Sequence, residues 1–98
     1  MQLYVILRRN GWRTADDLQA AAKRSTEEGE RLGEDEIRWI RSYVLEEPGG
    51  GVGTVCIYQA TSPEAIRAHA EGADLPVDEI IPVADTVLVR EDPAPASA

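Results

Sequence analysis

The run Ile37-Arg38-Trp39-Ile40-Arg41-Ser42-Tyr43-Val44-Leu45 limits the possible folds more than any other stretch of the chain. Its β-branched and aromatic residues suit a pleated surface, and neither Gly nor Pro interrupts it, so it reads as a central strand. Counting by twos puts Ile37, Trp39, Tyr43 and Leu45 on one side and Ile40, Ser42 and Val44 on the other. A strand with one wet face alternates apolar with polar residues, and this one is apolar on both sides. Both faces of its sheet are therefore expected to be covered. The chain's own helices can cover one, and a second copy of the chain is the expected cover for the other.

The remaining elements follow in order. Residues 2–8 form a nearly unbroken apolar run of strand length, and Asn10-Gly11 within residues 9–13 marks a turn. Thr14 opens a helix: its hydroxyl can accept an orphan N–H, and Asp17 occupies the acidic place of a capping box. The helix is expected to reach Leu32 and stop at Gly33. Its inward stripe, Leu18, Ala21, Ala22, Ser25, Gly29 and Leu32, is mostly small. Such a helix either lies very close to the sheet or leaves room beneath itself. Pro48-Gly49-Gly50-Gly51 forms a hairpin loop, and Val52–Ala60 returns with Val55 and Ile57 on one face and Thr54, Cys56 and Tyr58 on the other. Ser62-Pro63-Glu64 starts a second helix, whose stripe is Ile66, His69, Ala70 and Ala73. A last strand is expected within residues 79–90, best seen in Thr86-Val87-Leu88-Val89, with Pro82 at an edge, a bulge or the entry.

The order is βαββαβ, the ferredoxin-like motif: an α+β fold with a four-stranded antiparallel sheet and both helices on one face. Pairing two such sheets face to face gives a dimeric α/β barrel, so a homodimer is expected. Residues 1–91 are assigned to the single domain and 92–98 to a disordered tail. Eighteen acidic against ten basic residues give a net charge of −8, which repels phosphate backbones and argues against nucleic acid as a partner. No apolar run approaches the roughly 20 residues that span a bilayer, and the N-terminus lacks the pattern of a signal peptide. The single cysteine excludes an intrachain disulfide. These features point to a cytoplasmic protein that engages no membrane.

Trp39-Ile40-Arg41-Ser42-Tyr43-Val44, the return strand with Val55-Cys56-Ile57-Tyr58, and Pro63-Glu64-Ala65-Ile66-Arg67-Ala68-His69-Ala70 followed by Leu75-Pro76 carry a resemblance. In these pieces the chain resembles a family of small bacterial nickel-binding, ferredoxin-like proteins. The resemblance runs from Tyr4-Val5-Ile6 to about Val89. It implies a ferredoxin-like dimer and a divalent transition metal, plausibly nickel, as cofactor. Because the chain has one histidine, it also implies that His69 is joined by carboxylates and by residues of two subunits.

His69 suits a metal or proton transfer, since a neutral imidazole ligates nickel and copper and titrates near neutrality. It equally suits a buried histidine bonded to a carbonyl or a tyrosine. No H-x-x-x-H, C-x-x-C or D-x-D pattern accompanies it, so a closed metal site is not indicated. Cys56 is a candidate thiolate or a small hydrophobe on an interior strand. Trp39, Tyr43, Tyr4 and Tyr58 either pack the core or, with Cys56, line a pocket beneath the small-residue helix face. Gly49–Gly53 opens no helix and precedes no Lys-Ser/Thr, so it is a hairpin and not a phosphate loop. Arg8, Arg9, Arg13, Arg38 and Arg41 can hold an anionic ligand or pair with the many acids. Three functions remain: a dimer that binds a divalent transition metal, a cofactor-independent binder or enzyme for a small molecule held between helices and sheet, or a dimer with no ligand of its own.

Overall fold

The computed structural model describes residues 1–94. Its elements are β1 (Gln2–Trp12), α1 (Ala15–Leu32), β2 (Ile37–Glu46), β3 (Val52–Ala60), α2 (Pro63–Ala73) and β4 (Glu79–Pro82). All strand pairs are antiparallel, in the order β2-β3-β1-β4. This is the expected ferredoxin-like α+β arrangement.

Local chemistry sets the helix limits. Thr14 Oγ1 accepts the Asp17 N–H at 3.1 Å, and Gly33 closes α1 by donating to the Gly29 carbonyl at 2.9 Å. Ser62 Oγ accepts the Ala65 N–H at 3.2 Å, and Pro63 occupies the first turn of α2, where a missing N–H costs nothing. The buried residues of α2 are Ile66, His69, Ala70 and Ala73, the stripe read from their spacing. At Gly49 and Gly50 the hairpin needs φ of +93°, which only glycine adopts without strain.

Both helices lie on one face of the sheet. Beneath them Tyr4, Ile6, Ile37, Cys56, Tyr58, Ala60 and Ile66 form the buried core. Registered pairs share a face, so Tyr4 with Tyr58 and Ile6 with Cys56 point toward the helices. Val5 with Ile57 and Leu7 with Val55 point away from them.

Four sequence expectations change. First, the expected turn at residues 9–13 is continued strand: β1 runs to Trp12 with a shift of register between Arg8 and Trp12. Asn10 absorbs the irregularity at φ +51°, a region asparagine tolerates, and its N–H donates to Glu47 Oε2 at 2.6 Å. Second, β2 is an edge strand and not a central one.

Third, β2 does not keep one phase. Trp39 opposes Tyr58 and Arg41 opposes Ile57, so Ile40 is the extra residue of a β-bulge. Before it, odd positions (Ile37, Trp39) face the helices. After it, even positions do: Ser42 opposes Cys56 and Val44 opposes Thr54. Trp39 and Tyr43, which share a parity, thus lie on opposite faces.

Fourth, the last strand is Glu79–Pro82 and not Thr86–Val89. Ile80 opposite Ile6 packs against the core, and Asp78 and Val83 donate to Leu7 and Leu3 carbonyls at the two ends of the pairing. Pro82 ends an edge strand, where its missing N–H breaks no ladder. Val87, Leu88 and Val89 pair with nothing among the described residues and are 75–88% exposed. Of the tail assigned to 92–98, residues 95–98 lie outside the described residues. Asp92 is held: its Oδ2 accepts from Arg41 Nη1 at 2.8 Å and from Tyr43 Oη at 2.7 Å.

Candidate functional site

The small stripe of α1 leaves room. Between α1 and the sheet is a cavity of about 220 Å³ whose walls include Leu18, Ala21, Ala22 and Ser25 from α1. β2 contributes Trp39, Ser42 and Val44, β3 contributes Thr54, Cys56 and Tyr58, and β1 contributes Arg8 and Trp12. Its accessible wall is almost wholly apolar.

Three of the five aromatic and thiol candidates meet here: Trp39, Tyr58 and Cys56. Trp39 stacks on Tyr58 with ring centroids 6.0 Å apart and planes 3° from parallel. Tyr58 Oη lies 3.1 Å from Ser25 Oγ, and burial pushes its phenol pKa up. The Cys56 thiol lies in the same wall, bonded to Thr54 Oγ1 at 3.3 Å. Tyr4 sits deeper, in the packed core. Tyr43 is on the far side of the sheet, placed there by the Ile40 bulge.

Sequence reading did not single out Trp12, Ser42, Val44 or Thr54, and it took Arg8 only as one of five arginines. For Arg8 a signal exists: it continues the parity of Tyr4 and Ile6 on an unbroken strand. The bulge hid Ser42 and Val44.

His69 does not line this cavity. It borders a wider recess of about 640 Å³ on the other side of the Trp39–Tyr58 stack, with Ser25, Gly29, Glu30 and Glu34. The imidazole is 1% exposed. Its Nε2 lies 2.9 Å from the Ser25 carbonyl oxygen. A carbonyl can only accept, so Nε2 carries the proton and Nδ1 keeps a buried lone pair with no partner among the described residues. Burial lowers its pKa below the ordinary value; the Ser25 carbonyl and Glu28 raise it, and Arg8 lowers it further. In the unfolded chain the same imidazole takes a proton near pH 6.5. Below that pH the unfolded state therefore binds more protons, and stability falls as the pH drops from 7 toward 5. The thermal midpoint is expected to fall across that interval. In His69→Gln, whose amide can still donate to the Ser25 carbonyl, the fall should be smaller; an unchanged slope would remove His69 as its cause.

Metal binding can be tested on the same geometry. Among the described residues no group of three or more His, Cys, Asp or Glu side chains could hold a metal ion. The one imidazole spends Nε2 on a carbonyl and seals Nδ1 in the interior, and the one thiol is buried. A nickel site confined to the residues around His69 in one chain does not fit this structure.

Among the described residues no helix is long and apolar enough to cross a membrane. The architecture is that of a small ferredoxin-like domain with a cavity held between its first helix and its sheet. Residues 4–83 match the family described as nickel responsive protein SCO4226-like, and the chain belongs to that family. It is similar in fold to the crystal structure of SCO4226 from Streptomyces coelicolor A3(2). The two share 21% identity with a TM-score of 0.65, over 87% of this chain and 99% of that one. No curated protein matches the chain.

Proposed function

We propose that the protein is a nickel-responsive homodimer without catalytic activity, in which carboxylates from two copies together supply the metal donors. The observation that carries the reading is the outer face of the sheet. Val5, Leu7, Val55 and Ile57 form its centre, flanked by Tyr43 and Ile81, and neither helix lies on that side. The molecule is a slab of 35 × 34 × 22 Å, so this side is broad enough for the roughly 800 Å² per partner of a standard interface. A second copy is the cover that fits. An antiparallel sheet with one apolar face is self-complementary about a two-fold axis, and residues 83–92, which return to this side to set Asp92 beside Arg41 and Tyr43, leave Val87, Leu88 and Val89 exposed and add to its apolar surface. The nickel part rests on family membership. With His69 and Cys56 sealed inside, and Glu28 and Glu47 buried in ion pairs, the exposed acidic side chains are the main donors left, and pairing two copies is what would bring them together.

Light scattering during gel filtration tests the assembly. Wild type is expected to elute as a dimer and Ile57→Asp, which places a charge at the centre of the apolar face, as a monomer. Nickel titration by calorimetry then tests the site: wild type and His69→Gln should bind alike, and Ile57→Asp at least about tenfold more weakly. A monomeric wild type would overturn the dimer. Nickel binding that is lost in His69→Gln, or undiminished in the monomer, would overturn the shared carboxylate site.

A further inference from the structure

We propose that the cavity under α1 binds a small organic monocarboxylate, with Arg8 as its counter-ion and the Trp39–Tyr58 stack as one wall. The inference does not rest on the nickel reading. Arg8 is 1% exposed, and its side chain enters from β1 on the helix side of the sheet. Nη1 donates to the Pro76 carbonyl at 2.7 Å, while Nη2 is buried with no hydrogen-bond partner among the described residues. No carboxylate there neutralises it: the ion pairs among the described residues are Arg9–Glu47, Arg31–Glu28 and Arg41–Asp92. A buried cation that lacks both a counter-charge and a full set of acceptors is costly, and arginines are rarely found so. Nη2 lies just behind the apolar wall, so an anion in the adjoining cavity satisfies it once the guanidinium turns slightly into that space.

The rest of the wall restricts which anion. Trp12, Leu18, Ala22, Trp39 and Leu75 are apolar, and the hydroxyls in the wall are Ser42 Oγ, which accepts Trp39 Nε1 at 2.8 Å, Thr54 Oγ1, which accepts the Cys56 thiol, and Tyr58 Oη with Ser25 Oγ, which lie 3.1 Å apart. Arg8 is the one cation in this lining, which matches the single charge of a monocarboxylate, whereas a phosphate dianion would bring a second negative charge with nothing to meet it. A cavity of about 150 Å³ holds benzene, so one of about 220 Å³ suits an acid of around ten heavy atoms with a ring or branched chain. Val44, the lining residue on edge strand β2, is 62% exposed.

Calorimetric titration with phenylacetate and with phenylacetamide, its uncharged near-isostere, tests the proposal on the metal-free protein. Wild type should bind the acid at least about tenfold more tightly than the amide, the scale expected for a charge-assisted bond. Arg8→Met should abolish that preference, leaving both at the affinity of the amide. Nuclear Overhauser contacts from the phenyl protons to the Trp39 indole should place the bound acid in the cavity. Equal binding of acid and amide by wild type overturns the proposal even if the variant fails to fold. So does a preference that survives Arg8→Met, or no binding of the acid at millimolar concentration. Because nickel is absent throughout, none of these three failures bears on the nickel reading.

Discussion

Arg8→Met is expected to make the ligand-free protein more stable, by about 1–4 kcal/mol, the range seen when buried ion pairs give way to apolar side chains of similar volume. Methionine keeps an unbranched chain in the same space and removes a guanidinium whose Nη2 has no partner. In a domain of this size each kcal/mol corresponds to roughly 4–8 °C of thermal midpoint. Heating scans on both proteins without ligand would show it. The sign is the informative part. A residue kept for folding loses stability when replaced, whereas a residue kept for a ligand costs stability until the ligand arrives. Destabilisation by Arg8→Met would mean that the Pro76 contact outweighs the orphaned charge.

Ile66→Ala should act in the opposite direction and more strongly. Ile66 is fully buried, and it is the side chain of α2 that enters the core shared by Tyr4, Ile6, Cys56 and Tyr58. Truncation removes apolar atoms and leaves a void that the sheet cannot collapse into, at a cost of about 2–5 kcal/mol. Small domains have total stabilities of about 5–15 kcal/mol, so the variant should unfold at a much lower urea concentration with an unchanged m-value. Val87→Ala, at a position 88% exposed, is the control and should stay within about 0.5 kcal/mol of wild type. A small effect at Ile66 would mean that α2 is held by its caps and its contacts with α1 rather than by the core.

The helices were legible in the sequence because their signals are local. Thr14, Gly33, Ser62 and Pro63 act within one turn of themselves, and the stripe Ile66-His69-Ala70-Ala73 needs only the helical period. The small residues of α1 announced space or close approach, and both occur: a cavity lies under Ala21, Ala22 and Ser25, and farther along Gly29 passes His69. What failed depends on distant partners. Thr86–Val89 has good strand propensity, but Ile80 and Ile81 are the residues that reach β1, and pairing outweighs propensity. Asn10-Gly11 looks like a turn until Glu47 is present to bind the Asn10 N–H. Nothing in the spacing of His69 says that its Nε2 meets a carbonyl from α1 rather than a metal. The isolation of Arg8 depends on where every acid in the chain lies, which only the folded structure fixes.

Because the bulge at Ile40 sets the phase of everything after it, whether that one residue is looped out or paired matters in β2 as much as composition. Deleting Ile40 would leave every later pair as it is; pairing Ile40 with Ile57 instead, with no bulge, would turn Tyr43 and Leu45 toward α1 and send Ser42 and Val44 outward. The cavity would then be lined by side chains taken from the opposite surface. Two relatives of equal length, one with the bulge and one without, could share most of their sequence and still present different interiors to a ligand. A one-residue gap opposite Ile40 in an alignment therefore keeps both faces of the strand matched beyond it.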